Sequence, residues 1–215
     1  MFELTNIIPI PLKETTNGLN PDSDVFAARC RFEKGKWYLV KAPSGKGKST
    51  LLHVLYGLRR DYEGEVLFEN QNISGFSTET WANHRQVHLS IVFQDLRLFP
   101  KLSAMENILV KSSLNGGTTQ AQIVEMATSL GIDDILGQSC ETLSYGQRQR
   151  IAIIRALCQP FEFLLLDEPF SHLDAGNVRL ATGLIEKTCR QQQAGVVMVS
   201  LGGKYLFQYD KVLEL

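Results

Sequence analysis

The run Ala42-Pro43-Ser44-Gly45-Lys46-Gly47-Lys48-Ser49 fits the phosphate-loop pattern GxxxxGK[ST] at every fixed position but the first, where Ala stands for Gly. Its glycines let backbone N–H groups turn inward toward phosphate oxygens. A helix opening after it offers free N–H groups and a positive dipole end. Lys48 then reaches the β- and γ-phosphates, and the Ser49 hydroxyl is placed to ligate Mg²⁺. A second constellation, Phe163-Leu164-Leu165-Leu166-Asp167-Glu168, is an apolar run ending in two carboxylates. Asp167 suits a Mg²⁺ ligand. Glu168 suits a group that orients and polarises an attacking water beside the γ-phosphate.

These residues need a strand before the loop and a helix after it, and the flanking sequence provides both. Trp37-Tyr38-Leu39-Val40 is compact and β-prone, and Leu51 to Leu58 is apolar at helical spacing, ending near Gly57. Glu65–Phe68, His88–Phe93, Phe161–Leu166, Gly195–Ser200 and 211–215 predict further strands. Helices are predicted over Gln147–Leu157 and Val178–Arg190. Between about 102 and 137 the pattern is mostly helical, with Ile123, Met126, Ala127 and Leu130 on one stripe and Gly131 as its stop. Strands alternating with helices predict an α/β fold with a parallel core, and the strand-poor stretch from about 95 to 145 predicts a helical insert. Residues 9–24, with Pro9, Pro11, Gly18 and Pro21, predict a loop between early strands.

Composition narrows the function classes. The 215 residues are 44% hydrophobic and 21% charged, which is globular. Lys plus Arg is 22 against 23 for Asp plus Glu, so no basic excess points to nucleic acid as a partner. No apolar run approaches the length of a membrane span, and the first residues carry no basic and apolar leader pattern. Cys30, Cys140, Cys158 and Cys189 are scattered without a CxxC pair, which predicts reduced thiols and a cytoplasmic chain.

About 20 residues before Asp167 stands Leu143-Ser144-Tyr145-Gly146-Gln147-Arg148-Gln149-Arg150. It closely resembles the LSGGQ signature of the ABC (ATP-binding cassette) ATPases, with Tyr145 in place of the first Gly. Together with the phosphate loop before it and Leu-Leu-Leu-Asp-Glu-Pro after it, the order and spacing resemble that family over nearly the whole chain. The resemblance implies one ABC ATPase domain over 1–215, with a phosphate-loop NTPase core of about 1–94 and 151–215, an N-terminal antiparallel β subdomain and a helical subdomain of about 95–150. It implies ATP and Mg²⁺ as cofactors. Pro43, Ser44, Gly45, Lys46, Gly47, Lys48, Ser49 and Thr50 would bind ATP; Ser49, Gln94 and Asp167 would hold the metal; Glu168 and Gln94 would be catalytic. Ser144, Gly146 and Gln147 would meet the γ-phosphate on the opposite subunit of a head-to-tail homodimer. Asp174, in Ser171-His172-Leu173-Asp174, would communicate across it; no catalytic role falls to His172.

The stretch from Asp95 to Pro100, running on to Asn107-Ile108, matches the family region that touches a separate transmembrane permease. Leu98, Phe99 and Leu102 either form that contact as exposed residues or pack under the helical insert. With such a partner the chain would sit peripherally on the inner face of the cell membrane. Phe93 to Leu98 is most similar to the lipoprotein-release, macrolide-export and cell-division group. Two departures bear on turnover and selectivity. Counting back from Asp210, the family's switch histidine falls on Leu201, which has no hydrogen-bonding side chain; Lys204 is the nearby substitute. No Phe, Tyr or Trp lies between Phe2 and Phe26 to stack on adenine, leaving Ile8 or Leu19. The missing histidine keeps open a second function, a nucleotide-gated regulatory scaffold with weak or no turnover. Glu168 opposes it.

Overall fold

The computed structural model describes residues 1–13, 20–114, 118–201 and 207–215. In chain order the elements are β1 (Phe2–Pro9), α1 (Ile10–Lys13), β2 (Arg29–Phe32), β3 (Trp37–Lys41), α2 (Lys48–Leu55), β4 (Tyr62–Phe68), β5 (Gln71–Asn72), α3 (Thr78–Val87), β6 (Leu89–Val92), α4 (Ala104–Ser112), α5 (Gln120–Ser129), α6 (Tyr145–Leu157), β7 (Phe163–Asp167), α7 (Ala175–Gln192), β8 (Gly195–Ser200) and β9 (Lys211–Glu214). Five strands form a parallel sheet in the order β6-β7-β8-β3-β9. Four form an antiparallel sheet in the order β2-β1-β4-β5.

Strands β6, β7 and β8 of the parallel sheet are buried on both faces, and side chains alternate between two apolar clusters as the period of two requires. Leu39, Leu164, Leu166, Val196 and Met198 pack with α4, α5, α6 and α7. Tyr38, Val40, Phe163, Leu165, Val197 and Val199 pack with α2 and the antiparallel sheet, including the wholly buried Phe2, Leu4 and Phe32. Between β6 and β7 the chain carries helices and, among the described residues, no strand beyond a single bridge between Ser103 and Ser139. Three helices there open on a reciprocal cap: Ser103 with Glu106, Thr119 with Gln122, Ser144 with Gln147. The expected α/β architecture, antiparallel β sheet and helical insert are therefore present.

Three local expectations change. The 9–24 loop contains one helical turn, α1, because Pro11 lies in the first turn, where its missing N–H has no intrahelical partner to lose. Helix α3 has no apolar stripe; only Trp81 is buried, so periodicity does not announce it. Helices α6 and α7 begin at Tyr145 and Ala175, two and three residues earlier than their stripes imply, because their caps Ser144 and Asp174 lie upstream of the first stripe residue.

Candidate functional site

Strand β3 delivers the chain to Ala42, whose N–H donates to the Ser200 carbonyl at 3.3 Å. Ala42 is not among the residues with positive φ, so its Cβ is tolerated where the pattern has Gly. The loop then turns on Gly45 (φ 80°) and Gly47 (φ 93°). Gly47 is doubly constrained: a Cβ there would stand 2.6 Å from Leu12 Cδ1 and 2.9 Å from Phe26 Cε2. Gly47 caps α2 without any side-chain hydrogen bond, which leaves the first amides of that helix for an anion.

Lys48 is buried. Its ammonium donates to the carbonyls of Ala42 (3.0 Å) and Pro43 (3.1 Å) and lies 3.4 Å from Glu168 Oε1. Glu168 follows the last residue of β7 in a left-handed conformation, φ 46°, with its N–H donating to Val199 O at 3.2 Å. A non-glycine residue held there costs on the order of 1–3 kcal/mol and is found where surrounding structure over-determines it. Beside it Asp167 is 2% exposed. Burial raises its pKa, with the Glu168 charge adding to the rise, while the Ser49 hydroxyl and Lys48 work against it. Its Oδ1 is buried and has no hydrogen-bond partner among the described residues. An orphaned carboxylate oxygen next to a hydroxyl is a donor set suited to Mg²⁺, so the residues present fit that ion.

Two clefts meet at Ser49 and Gln94. The first, about 220 Å³, is lined by Leu12, Ser44, Gly45, Gly47, Lys48, Ser49, Thr50, Gln94 and Glu168. The second, about 440 Å³, is lined by Ser49, His53, Phe93, Gln94, Asp95, Arg97, Tyr145 and Asp167. A larger cleft of about 580 Å³ between α5 and α7 contains none of these residues. The fold thus gathers Ser44, Gly45, Gly47 to Thr50, Gln94, Asp167 and Glu168. Pro43 and Lys46 belong to the same loop but not to the cleft walls.

Ser144, Gly146, Gln147 and Asp174 are not in those walls. Ser144 accepts from the Gln147 N–H (3.3 Å), and Gln147 Oε1 accepts from the Ser144 N–H (2.9 Å). Gly146 packs against the loop before α7; a Cβ there would stand 3.2 Å from His172 O. Asp174 caps α7, accepting from the N–H and the amide of Asn177, both at 2.8 Å; those bonds hold its carboxyl below the usual range.

Some expectations change here too. Ile8 does not line the clefts. Leu12 does, brought over Gly47 by the α1 turn; its only sequence signal is a helix-compatible Pro-Leu after β1. Leu19 and Lys204 lie outside the described residues. Leu98 and Leu102 are half-buried rather than exposed, and Leu98 packs against the helical core; Phe99 alone of the three is exposed, at 52%. Buried Asn107 fixes that loop, accepting from Phe99 N–H (2.8 Å) and donating to Phe99 O (3.0 Å). Tyr145, which stands where the signature has its first Gly, lines the second cleft.

The sequence profile of the ABC transporter family matches residues 27–171. The chain belongs to the ABC transporter family. An uncharacterized ABC transporter ATP-binding protein of Thermotoga maritima is 36% identical over 144 residues, 66% of this chain, which spans 62% of that relative. A lipoprotein-releasing system ATP-binding protein, LolD, of Shewanella denitrificans is 31% identical over 85% of this chain and 79% of its own. A thiamine import ATP-binding protein, ThiQ, of Aliivibrio fischeri is 36% identical over 83% of this chain and 75% of its own. Among solved structures, the dimeric ABC transporter cassette MJ0796 superposes with a TM-score of 0.79 at 25% identity, covering 94% of this chain and 88% of that one. The fold is accordingly that of an ABC ATPase cassette. No described helix of this ABC cassette is long and apolar enough to cross a membrane.

Proposed function

We propose that this chain is the ATP-binding and ATP-hydrolysing subunit of an ABC transporter, closing as a head-to-tail homodimer around ATP and driving a separate transmembrane permease. The observation that carries the reading is the convergence of Lys48, Ser49, Gln94, Asp167 and Glu168 on two clefts joined at Ser49 and Gln94. Lys48 and the uncapped start of α2 bind the β- and γ-phosphates. Ser49, Asp167 and the Gln94 side chain would hold Mg²⁺, which would neutralise charge on the phosphate oxygens. Glu168 orients the attacking water. The chain acts as a single ATPase domain, with a core of about 1–94 and 151–215 and a helical subdomain of about 95–150.

Ser144, Gly146 and Gln147 lie outside the cleft walls of their own chain, which favours action on the partner's nucleotide, with Asp174 signalling across the same face. Phe99, exposed on a loop that Asn107 holds rigid, supplies an anchor for the permease at the inner face of the membrane. The relatives carry names for lipoprotein release and for thiamine import, so the cargo is assigned to the permease rather than to this cassette.

One observation favours slow turnover, as in a nucleotide-gated scaffold. Leu201 directly follows β8, whose Val199 and Ser200 carbonyls receive the Glu168 and Ala42 amides, and it is 60% exposed. The position read as the switch therefore carries no hydrogen-bonding side chain. Binding of a fluorescent ATP analogue, light scattering with Mg²⁺-ATP and steady-state phosphate release separate the readings. Lys48→Ala weakens ATP binding at least about tenfold, having lost a buried charge-assisted contact. Glu168→Gln gives a dimer with Mg²⁺-ATP and no phosphate release. Unchanged affinity in Lys48→Ala rejects the phosphate-loop assignment. Absence of Glu168-dependent phosphate release with and without the permease selects the scaffold.

A further inference from the structure

The residue at which the signature departs from its family pattern also touches its own chain's nucleotide cleft. Tyr145 opens α6, and its hydroxyl donates to the Gln94 carbonyl at 2.8 Å. Its ring stands 4.1 Å, centroid to centroid, from the His172 imidazole in the loop before α7. Tyr145 also shares a cleft wall with Ser49, Gln94 and Asp167. Glycine at this position would have no side chain to make either contact.

A second grip lies ten residues along the same helix, about 15 Å at the helical rise. The Arg155 guanidinium donates to Arg97 O at 2.7 Å and to Leu96 O at 2.5 Å. Leu96 (φ 60°) and Arg97 (φ 45°) are consecutive non-glycine residues in the left-handed region, a conformation that needs outside support. Helix α6 therefore holds the loop carrying Gln94 at two separated points, through peptide carbonyls that leave the Gln94 side chain to the metal.

We propose that Tyr145 is a positioning residue that ties Gln94, at the chain's own nucleotide, to the start of α6, where Ser144 faces the partner's nucleotide. This rests on the shared-nucleotide dimer proposed above. Engagement of Gln94 by Mg²⁺-ATP displaces its peptide unit. The phenol hydrogen bond passes that displacement to the first turn of α6, and the ring passes it to His172. Arg155 keeps loop and helix moving as one body. Occupancy of one site thereby sets how Ser144 is presented to the other.

Amide hydrogen exchange on dilute full-length chain, with Mg²⁺ and the non-hydrolysable analogue AMP-PNP, tests this before any dimer forms. Wild type is expected to slow exchange at 94–97 and at 147–149 alike, by about tenfold or more. Tyr145→Phe keeps the ring and loses the hydroxyl: protection at 94–97 persists, and the change at 147–149 falls below about twofold. In turnover measurements the same variant lowers kcat and the Hill coefficient while moving KM little. Tyr145→Gly behaves as Tyr145→Phe or worse. If Phe matches wild type at 147–149, the ring is only filler and the proposal falls, while the nucleotide assignment stands. If wild type responds in neither segment and Lys48→Ala is indistinguishable from it, the nucleotide assignment fails and takes the proposal with it.

Discussion

Among the described residues Lys48 has three oxygen partners: the Ala42 and Pro43 carbonyls and the Glu168 carboxylate. The two carbonyls can stay when a phosphate enters, but the 3.4 Å contact with Glu168 competes with it for the same ammonium. In the proposed function, separating them frees Glu168 to face a water as Lys48 takes up the phosphate. After β8 the position read as the switch is Leu201, whose side chain offers no hydrogen bond. Leu201→His restores a hydrogen-bonding group there, and kcat is expected to rise by about tenfold or more with little change in KM. Steady-state phosphate release checks this, and an unchanged kcat would remove Leu201 from the switch position. The roles of Lys48 and Glu168 are legible from residue type and spacing. Their mutual pairing is not, since it depends on β7 and the loop-feeding β3 flanking β8 in one parallel sheet.

At the scale of elements, the helical insert is held to the core by half-buried cations. Arg155 grips the 96–97 carbonyls, and Lys111 in the last turn of α4 donates to Arg85 O at 3.4 Å. Burial, with the nearby Arg155 and Arg85 charges, pulls the Lys111 pKa down to about 8. An unfolded lysine titrates near about 10.4. At pH 7 both states are protonated and the folded state bears the full burden of the buried charge. Between pH 8 and about 10.4 the folded chain releases this proton first, so Lys111 destabilises less as pH rises. Lys111→Met is therefore expected to stabilise the fold at pH 7 by about 1–2 kcal/mol after allowing for the lost hydrogen bond. The gain should shrink toward pH 10. Urea midpoints at the two pH values test it; equal gains at both would show that charge is not the cause. Periodicity locates α4 to α7, whose stripes are strong, but not α3, where one buried tryptophan carries the packing.

At the scale of the whole molecule, two apolar clusters share one parallel sheet, and the thiols sit inside them. Burial pushes Cys30 up to about 11 and Cys158 and Cys189 up to about 12. Their folded values lie above the unfolded one, so their contribution is complete below about pH 9 and fades as pH climbs toward 11–12. Across that window the unfolded chain gives up protons that the folded chain keeps. Lys111 acts in the opposite sense up to about pH 10.4, but three thiols outweigh one ammonium. Unfolding midpoints are expected to fall steadily above pH 9, and Cys158→Ala should flatten that fall while lowering the midpoint at neutral pH. A midpoint independent of pH from 9 to 11 would contradict the buried-thiol account. The architecture itself was legible, because strands buried on both faces must be near-continuous apolar runs, as Leu164-Leu165-Leu166 and Val196-Val197-Met198-Val199 are.

The chemistry proposed for the phosphate loop, the paired carboxylates and the signature is read from residue type and order. Within a dozen residues, side-chain type and spacing dictate turn conformation, helix caps and which donors and acceptors are offered. What stands opposite them comes from packing across the fold: Leu12 over Gly47, Asn107 beneath Phe99, Arg155 and Tyr145 on the loop of Gln94. Leu12, Arg155 and Tyr145 join elements separated widely along the chain, and even the local Asn107 contact turns on how α4 meets its loop. Their partners are set by helix angles and sheet order rather than by any local pattern. A tyrosine that looks like a harmless substitution in its motif becomes, by that packing, the bridge between the start of α6 and the chain's own nucleotide cleft.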